Sequence, residues 1–455
     1  MMPRSSSFLR AGWLVGVCLA ICTVASRADL ISDWNAQALM AIRGDAQAGP
    51  DASRTLAMLN AAIYNAVEGI AGDHNLYASG SYTGPGETAL DGASMDAAAA
   101  AAAFTVLQGL YPSLTGDFAA LYSAQLSGLA DDQARVDGMD FGTVVGNGML
   151  NWRAGDNSNA ASNTALYSPT GTVGHWQPTV PNGEVLPGWG AVTTFGIPST
   201  AAYNGNLPAT IETYIQSAQY AADYNQVKEL GASSSGTRTT DQLNAAFFWA
   251  AAAGTGTTAG LWNQVAQTVA ASEGLSLQES ARLFAALNVA MADAAIVTWD
   301  TKYDVDFWSP LQAIVNGAAD GNLDTLGDAG WTALLAELNS PAYFSEQSAL
   351  SAAAARVLAE FLGDDVAFML GSDVDGDGVA DMTRMYNSFS QAAEEAGLSQ
   401  IWGGVSYGTG HTDAATAGAA VGGYVVNNYF APVPEPSGLM LVLVGGVMWA
   451  MRRRR

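Results

Sequence analysis

The segment 300–310, DTKYDVDFWSP, places Lys302, one of two lysines in the chain, seven residues before Ser309 and beside an aromatic pair. An ammonium group there can pair with Asp300, Asp304 and Asp306 at a helix end, or it can hold an anion. A second stretch, SDVDGDGVAD over 372–381, sets Asp373, Asp375, Asp377 and Asp381 at positions one, three, five and nine of an EF-hand-like loop, with Gly378 at the turn position. Alternating carboxylates in a tight glycine turn can converge on one hard cation, so this loop is a candidate calcium site. Position twelve is Arg384, where a bidentate acid would stand in an EF-hand. Imidazole chemistry has three candidates, His74, His175 and His411. Both cysteines, Cys18 and Cys22, fall in an apolar N-terminal segment, which leaves the rest of the chain without a disulfide, a thiolate nucleophile or a cysteine metal site.

The elements that must position these groups read as helices. Apolar residues recur at three-to-four spacing over 53–70, 91–111, 131–155 and 275–303, separated by Gly/Ser/Thr-rich loops. In the last of these, Ser276 followed by Glu279 forms a capping box that predicts the helix start. Residues 156–208, rich in Gly, Pro, Thr and Asn, predict a long loop-dominated excursion that covers or connects the helices. No internal repeat is evident in the pattern. The fold class expected is all-α, a large helical bundle of ten or more helices in one domain over 29–430.

Composition excludes some partners. A formal net charge of -25 repels phosphate backbones, and no localised basic patch offsets it, so nucleic acid is not an expected partner. The two ends look like targeting segments. Arg4 and Arg10, an apolar run over 11–25, and Ser26-Arg27-Ala28 read as a secretory signal over 1–28, cut after Ala28. The C-terminal 431–455 carries Pro434-Glu435-Pro436, an apolar stretch over 438–451 and four terminal arginines, in an order that resembles the PEP-CTERM sorting signal of Gram-negative bacteria. That resemblance implies export, transient inner-membrane association through the C-terminal segment, and processing by exosortase-type sorting machinery near the Pro-Glu-Pro. Physically, Arg452 to Arg455 would hold the segment with its charges on the cytoplasmic side.

Several segments in order, among them ISDWNAQALMAIR, RTLAMLNAAIYNAVEGI, GHWQPT and LSLQESARLFAALNVAMADAAIVTWDTKYDVDFWSP, resemble the bacterial vanadium-dependent haloperoxidase-like branch of the type 2 phosphatidic acid phosphatase superfamily, over about residues 31 to 429. The resemblance implies a bundle with an oxyanion pocket at one end, built from a Lys with an Arg-Pro seven residues on, a Pro-Ser-Gly-His, and an Arg with a His six residues on. A multiply charged oxyanion requires such cations, donors and imidazoles. Carried over position by position, Lys302 matches and Ser309 replaces arginine. Ser345 matches, whereas Glu346 stands for glycine and Gln347 for histidine. Gln400 replaces the second arginine, and Ser406 the histidine that would bond vanadium or attack phosphorus. Lys302 and Ser345 are thus the remnants of the site, and they are the residues that would touch vanadate or phosphate if either bound.

At an effective dielectric near 20, each charge pair at about 4 Å is worth roughly 4 kcal/mol before desolvation. Three cations reduced to one, with an added carboxylate, therefore imply loss of the inherited reaction. His411, five residues after Ser406, is the candidate replacement imidazole, set against a helix-end histidine satisfied by a local carbonyl. Glu346 could act as an acid or base if buried. The reading expected from sequence is an exported, non-catalytic surface or extracellular-matrix protein with cell-surface or polysaccharide partners. Vanadate is not expected as a cofactor and calcium is the candidate ion. The alternative is an active haloperoxidase or phosphatase with an altered site.

Overall fold

The computed structural model describes residues 29–78, 91–206 and 210–432; the leader expected over 1–28 and the C-terminal segment from 433 onward lie outside them. The first half supplies α1 (Asp29–Gly44), α2 (Gly49–Ala71), α3 (Met95–Leu110), α4 (Thr115–Ser127) and α5 (Gln133–Arg153). Three shorter helices follow the excursion: α6 (Ile211–Ile215), α7 (Ala218–Leu230) and α8 (Thr240–Phe248). The second half supplies α9 (Thr257–Glu273), α10 (Leu277–Val305), α11 (Pro310–Val315), α12 (Glu346–Leu362), α13 (Phe389–Trp402) and α14 (Gly408–Asn428). Between α12 and α13, β1 (Phe368–Ser372) pairs antiparallel with β2 (Met382–Tyr386), a single hairpin added to the helical bundle.

Helix α10 is the spine of the molecule. It starts at the expected capping box, with Ser276 accepting from the Glu279 amide at 3.2 Å and the Ser276 amide donating to Glu279 at 2.8 Å. It ends where Asp306 takes a left-handed conformation, which short polar side chains tolerate. By length and hydropathy α10 could span a bilayer, yet 94% of its apolar window is buried inside the protein. An all-round hydrophobic helix of this kind belongs at the centre of a large core.

The structure corrects the sequence reading on one point: the chain contains a repeat. Asn35 on α1 and Asn60 on α2 exchange side-chain hydrogen bonds at 3.0 and 2.9 Å, each also donating to the carbonyl one turn back. Asn263 on α9 and Asn288 on α10 do the same at 2.7 and 2.9 Å. The flanking residues correspond, Trp34 with Trp262, Leu59 with Leu287 and Arg54 with Arg282. Later helices match as well. Gly142 and Gly146 of α5 lie against the Ala98 and Ala102 carbonyls of α3, and Gly418 and Gly422 of α14 lie against the Ala349 and Ala353 carbonyls of α12. A Cβ at any of the four would enter the facing backbone, so glycine is what lets these helix pairs approach so closely. Two similar helical sets, α1–α5 and α9–α14, thus pack on one another through the α2/α10 contact around one continuous core.

The excursion over 156–206 contains only short turns, as expected. It is pinned to the spine by buried polar groups. Arg153 pairs with Asp156 at 2.9 Å and lies 3.8 Å from the Phe195 ring. Asp293, fully buried, accepts the amides of Phe195, Gly196 and Ile197 at 2.6 to 2.8 Å. Trp299 and Tyr303 both donate to the Val185 carbonyl, at 3.2 and 2.8 Å. Asp306 holds His175 at 2.9 Å and the Tyr167 hydroxyl at 2.6 Å. These contacts lay the excursion along the last turns of α10 and set Val185 at the rim of a cavity.

Candidate functional site

At the end of the second bundle, where α10 finishes and α12 begins, lies a cavity of about 540 Å³. All seven motif positions read from the sequence line it: Lys302, Ser309, Ser345, Glu346, Gln347, Gln400 and Ser406. Lys302 projects from the last turn of α10. Ser309 and Ser345 are the N-caps of α11 and α12, accepting from the Gln312 amide at 3.2 Å and the Ser348 amide at 3.3 Å. Gln400 comes from the last turn of α13, and Ser406 from the link to α14.

Lys302 does not act as the surface ion-pair partner considered from sequence. It is buried, and its ammonium donates to the Pro341 carbonyl at 2.7 Å, while Asp306 is engaged by His175 instead. Burial pushes the amine down to about 8, and the Glu346 carboxylate partly restores it. Glu346 is pushed up to about 7 by the same desolvation, opposed by Lys302. The acid is thus half neutral near pH 7, a group able to give or take a proton. Gly49, at the start of α2, faces this carboxyl, and any side chain there would overlap it.

The substituted positions are absorbed into local structure. Ser309 donates to Glu337 at 3.1 Å, and Glu337 also accepts the Leu311 amide at 3.2 Å. An acid therefore occupies the mouth of α11, where the resemblance implied an arginine. Burial raises Glu337, and its bonds to Ser309 and Leu311 oppose that rise. Gln347 donates to the Trp249 carbonyl and accepts from Thr258, so both ends of its amide are spent. The Ser406 hydroxyl, by contrast, is buried at the cavity wall and has no hydrogen-bond partner among the described residues.

Glu337, Ser348 and Gly49 were missed by sequence reasoning. Glu337 lies in a segment with no motif, and nothing in the sequence signalled it. Ser348 could have been suspected, because it follows the capping serine by one helical turn.

His411 is not satisfied by a local carbonyl. It sits in the first turn of α14, buried, with Nδ1 2.9 Å from the Ser348 hydroxyl and Nε2 3.5 Å from Glu394. It lines an open groove between α12, α13 and α14 rather than the cavity. Ser348 in turn donates to Ser345 at 2.9 Å, which links the groove to the cavity wall.

The aspartate loop spans the hairpin, not a helix–loop–helix, and Arg384 lies in β2, paired with Asp241 and Glu395. Asp373, Asp375 and Asp377 come together with oxygens within 4.8 Å of one another. Asp381 is not in that group; its carboxylate instead accepts the Val374 and Asp375 amides of the loop at 2.8 and 3.3 Å. Asp373 accepts the Gly376 and Gly378 amides and pairs with Arg43 at 2.9 Å.

Comparison with known proteins bears on the fold. Residues 282–433 match the family model of the VCPO second helical-bundle domain. A bacterial vanadium-dependent iodoperoxidase superposes with a TM-score of 0.74 at 22% identity, over 91% of this chain and 99% of that one. The holo form of a bacterial vanadium-dependent chloroperoxidase gives 0.63 at 14% identity, over 84% of this chain and 92% of that one. Its apo form gives 0.64 at 14% identity, over 84% and 94%. No curated protein matches the sequence. The chain has the helical-bundle fold of the vanadium-dependent haloperoxidases, with their second bundle domain in residues 282–433.

Proposed function

We propose that this protein is an exported member of the haloperoxidase fold that no longer performs the inherited oxyanion chemistry and serves at the cell surface or in the extracellular matrix. The observation that carries the reading is the cavity's charge: one depressed lysine faces two carboxyl groups, Glu337 and Glu346, and no imidazole lines the wall. Vanadate does not fit this donor set. At an effective dielectric near 20 each of these carboxyl groups, where ionised, repels an anion at about 4 Å by roughly 4 kcal/mol, which offsets what Lys302 offers.

Orthovanadate titrated into the purified protein by calorimetry, with Lys302→Ala as control, is expected to give no saturable heat. Tight binding that disappears in the variant would sink this reading, and halide oxidation and phosphate-ester assays would then follow. Export rests on the two end segments. Terminal sequencing of protein recovered outside the cell should find a start after Ala28 and a new end near Pro434–Pro436. The Asp373–Asp377 loop is the proposed calcium ligand, of the weak, extracellular class, because Arg43 already neutralises one of its acids.

A further inference from the structure

We propose that the cavity has acquired a different chemistry, acyl transfer from small esters, with Ser345 as the nucleophile and His411 as a base that acts through Ser348. The inference goes beyond the loss of oxyanion chemistry and does not depend on it. Its basis is a continuous polar path. Ser345 and Ser348 lie 2.9 Å apart, Ser348 and His411 Nδ1 2.9 Å, and His411 Nε2 and Glu394 3.5 Å. The serines and the histidine are buried, and Ser345 opens on the cavity. With the Nε2 proton on the Glu394 side, Nδ1 is the acceptor; the Ser348 hydroxyl, which donates to Ser345 at rest, turns to Nδ1, and Ser345 then donates to Ser348.

The fold does not require this path. In the first bundle, the offsets fixed by the matching glycine contacts put Ala97 at the place of Ser348 and Arg135 at the place of His411, and the helices pack just as closely. In the second bundle, α13 is kept clear by Gly397, where any Cβ would run into the His411 ring and the Ser348 hydroxyl. The site that would receive an oxyanion is also present. The Glu346 and Gln347 amides in the first turn of α12 have no intrahelical acceptor, and the Ser406 hydroxyl, unpartnered among the described residues, and the Lys302 ammonium share the cavity with them. A carbonyl oxygen that becomes negative only in the transition state carries one transient charge, which these donors can hold where a multiply charged oxyanion is repelled.

The step balances without a co-reactant other than water. Ser345 Oγ bonds to the ester carbonyl carbon as its proton passes to Ser348 and the Ser348 proton to His411 Nδ1. The bond to the alcohol oxygen then breaks, and a proton returns along the path to the departing alkoxide. Water repeats the sequence on acyl-Ser345 and releases the carboxylic acid. Val405, Leu335 and Phe344 line the cavity and suit a short acyl chain.

The test uses p-nitrophenyl acetate and the full chain. A burst of p-nitrophenolate is expected, with the acetyl group mapped by mass spectrometry to Ser345. Ser345→Ala should abolish the burst, and Ser348→Ala and His411→Gln should each lower the acylation rate by at least about 100-fold. In wild type the rate should rise with pH through one ionisation, and in His411→Gln that rise should be flat. Other groups near the path that could shift this profile are Glu394, Arg356 and Asp364 on the groove side, and Glu346, Lys302 and Glu337 on the cavity side. Acetyl found only on Lys302 or on other sites, no adduct at all, or an unchanged rate and pH profile in folded Ser348→Ala and His411→Gln would overturn the proposal. Mapping on wild type decides it even where a variant does not fold, and its outcome is independent of vanadate binding.

Discussion

Lys302→Met is expected to stabilise the protein at pH 6 by about 2 kcal/mol, less the cost of any imperfect packing. The amine is held down to about 8 from an ordinary 10.5, chiefly by desolvation. That depression corresponds to about 3 kcal/mol of folding free energy spent on keeping a charged ammonium in the cavity wall. Loss of the hydrogen bond to Pro341 returns about 1 kcal/mol of this. At pH 6 Glu346, pushed up to about 7, is mostly protonated, and without Lys302 it rises further, so the variant leaves no unpaired charge. The pH dependence has a definite sign. A lysine whose folded pKa lies below its unfolded value binds fewer protons when folded, so its penalty is whole below pH 8 and fades toward pH 10.5. The gain from Lys302→Met should therefore shrink to near zero by pH 10. Urea unfolding of both proteins from pH 5 to 10 measures it. A variant less stable than wild type at pH 6, or a difference that does not change with pH, would refute the reasoning.

Three further outcomes follow from the same geometry. Asn288→Ala leaves the buried Asn263 Oδ1, on α9, without its donor from the spine and should cost about 1 to 3 kcal/mol in denaturant unfolding, whereas the double variant Asn263→Ala/Asn288→Ala should cost less than twice that. Arg43→Ala removes the cation that competes for Asp373, so calorimetry should show tighter calcium binding than in wild type, and Asp375→Asn should weaken it. Asp306→Ala removes the partner of both His175 and Tyr167, and limited proteolysis should then cut within 156–206 faster while the core helices remain protected.

Much of the site was legible because its residues fall at helix ends, where local rules act. The capping pattern at Ser276 and Glu279 located the start of α10, and the apolar pattern over 275–303 placed its end near Lys302, whereas α11 and its cap at Ser309 were not read. The seven motif positions meet at one cavity as the sequence order suggested, because each sits at the same end of the second bundle. Other features were not legible. The repeat escaped because its signal is two Trp-Asn and two Leu-Asn pairs separated by the excursion, and only the reciprocal hydrogen bonds make them equivalent. Glu337 escaped because its partners, Ser309 and Leu311, are brought to it by a long loop.

The sequence by itself determined the main helices, their caps and the residue types at the seven motif positions, since these depend on residue type and near neighbours. The tertiary structure decided what the remaining groups can do. Whether Lys302 is an exposed ion-pair partner or a depressed amine, and whether Glu346 is a charge or an acid, depends on burial, which no spacing encodes. His411 reaches Ser345 through Ser348 only because α14 and α12 approach over glycine contacts and α13 passes at Gly397.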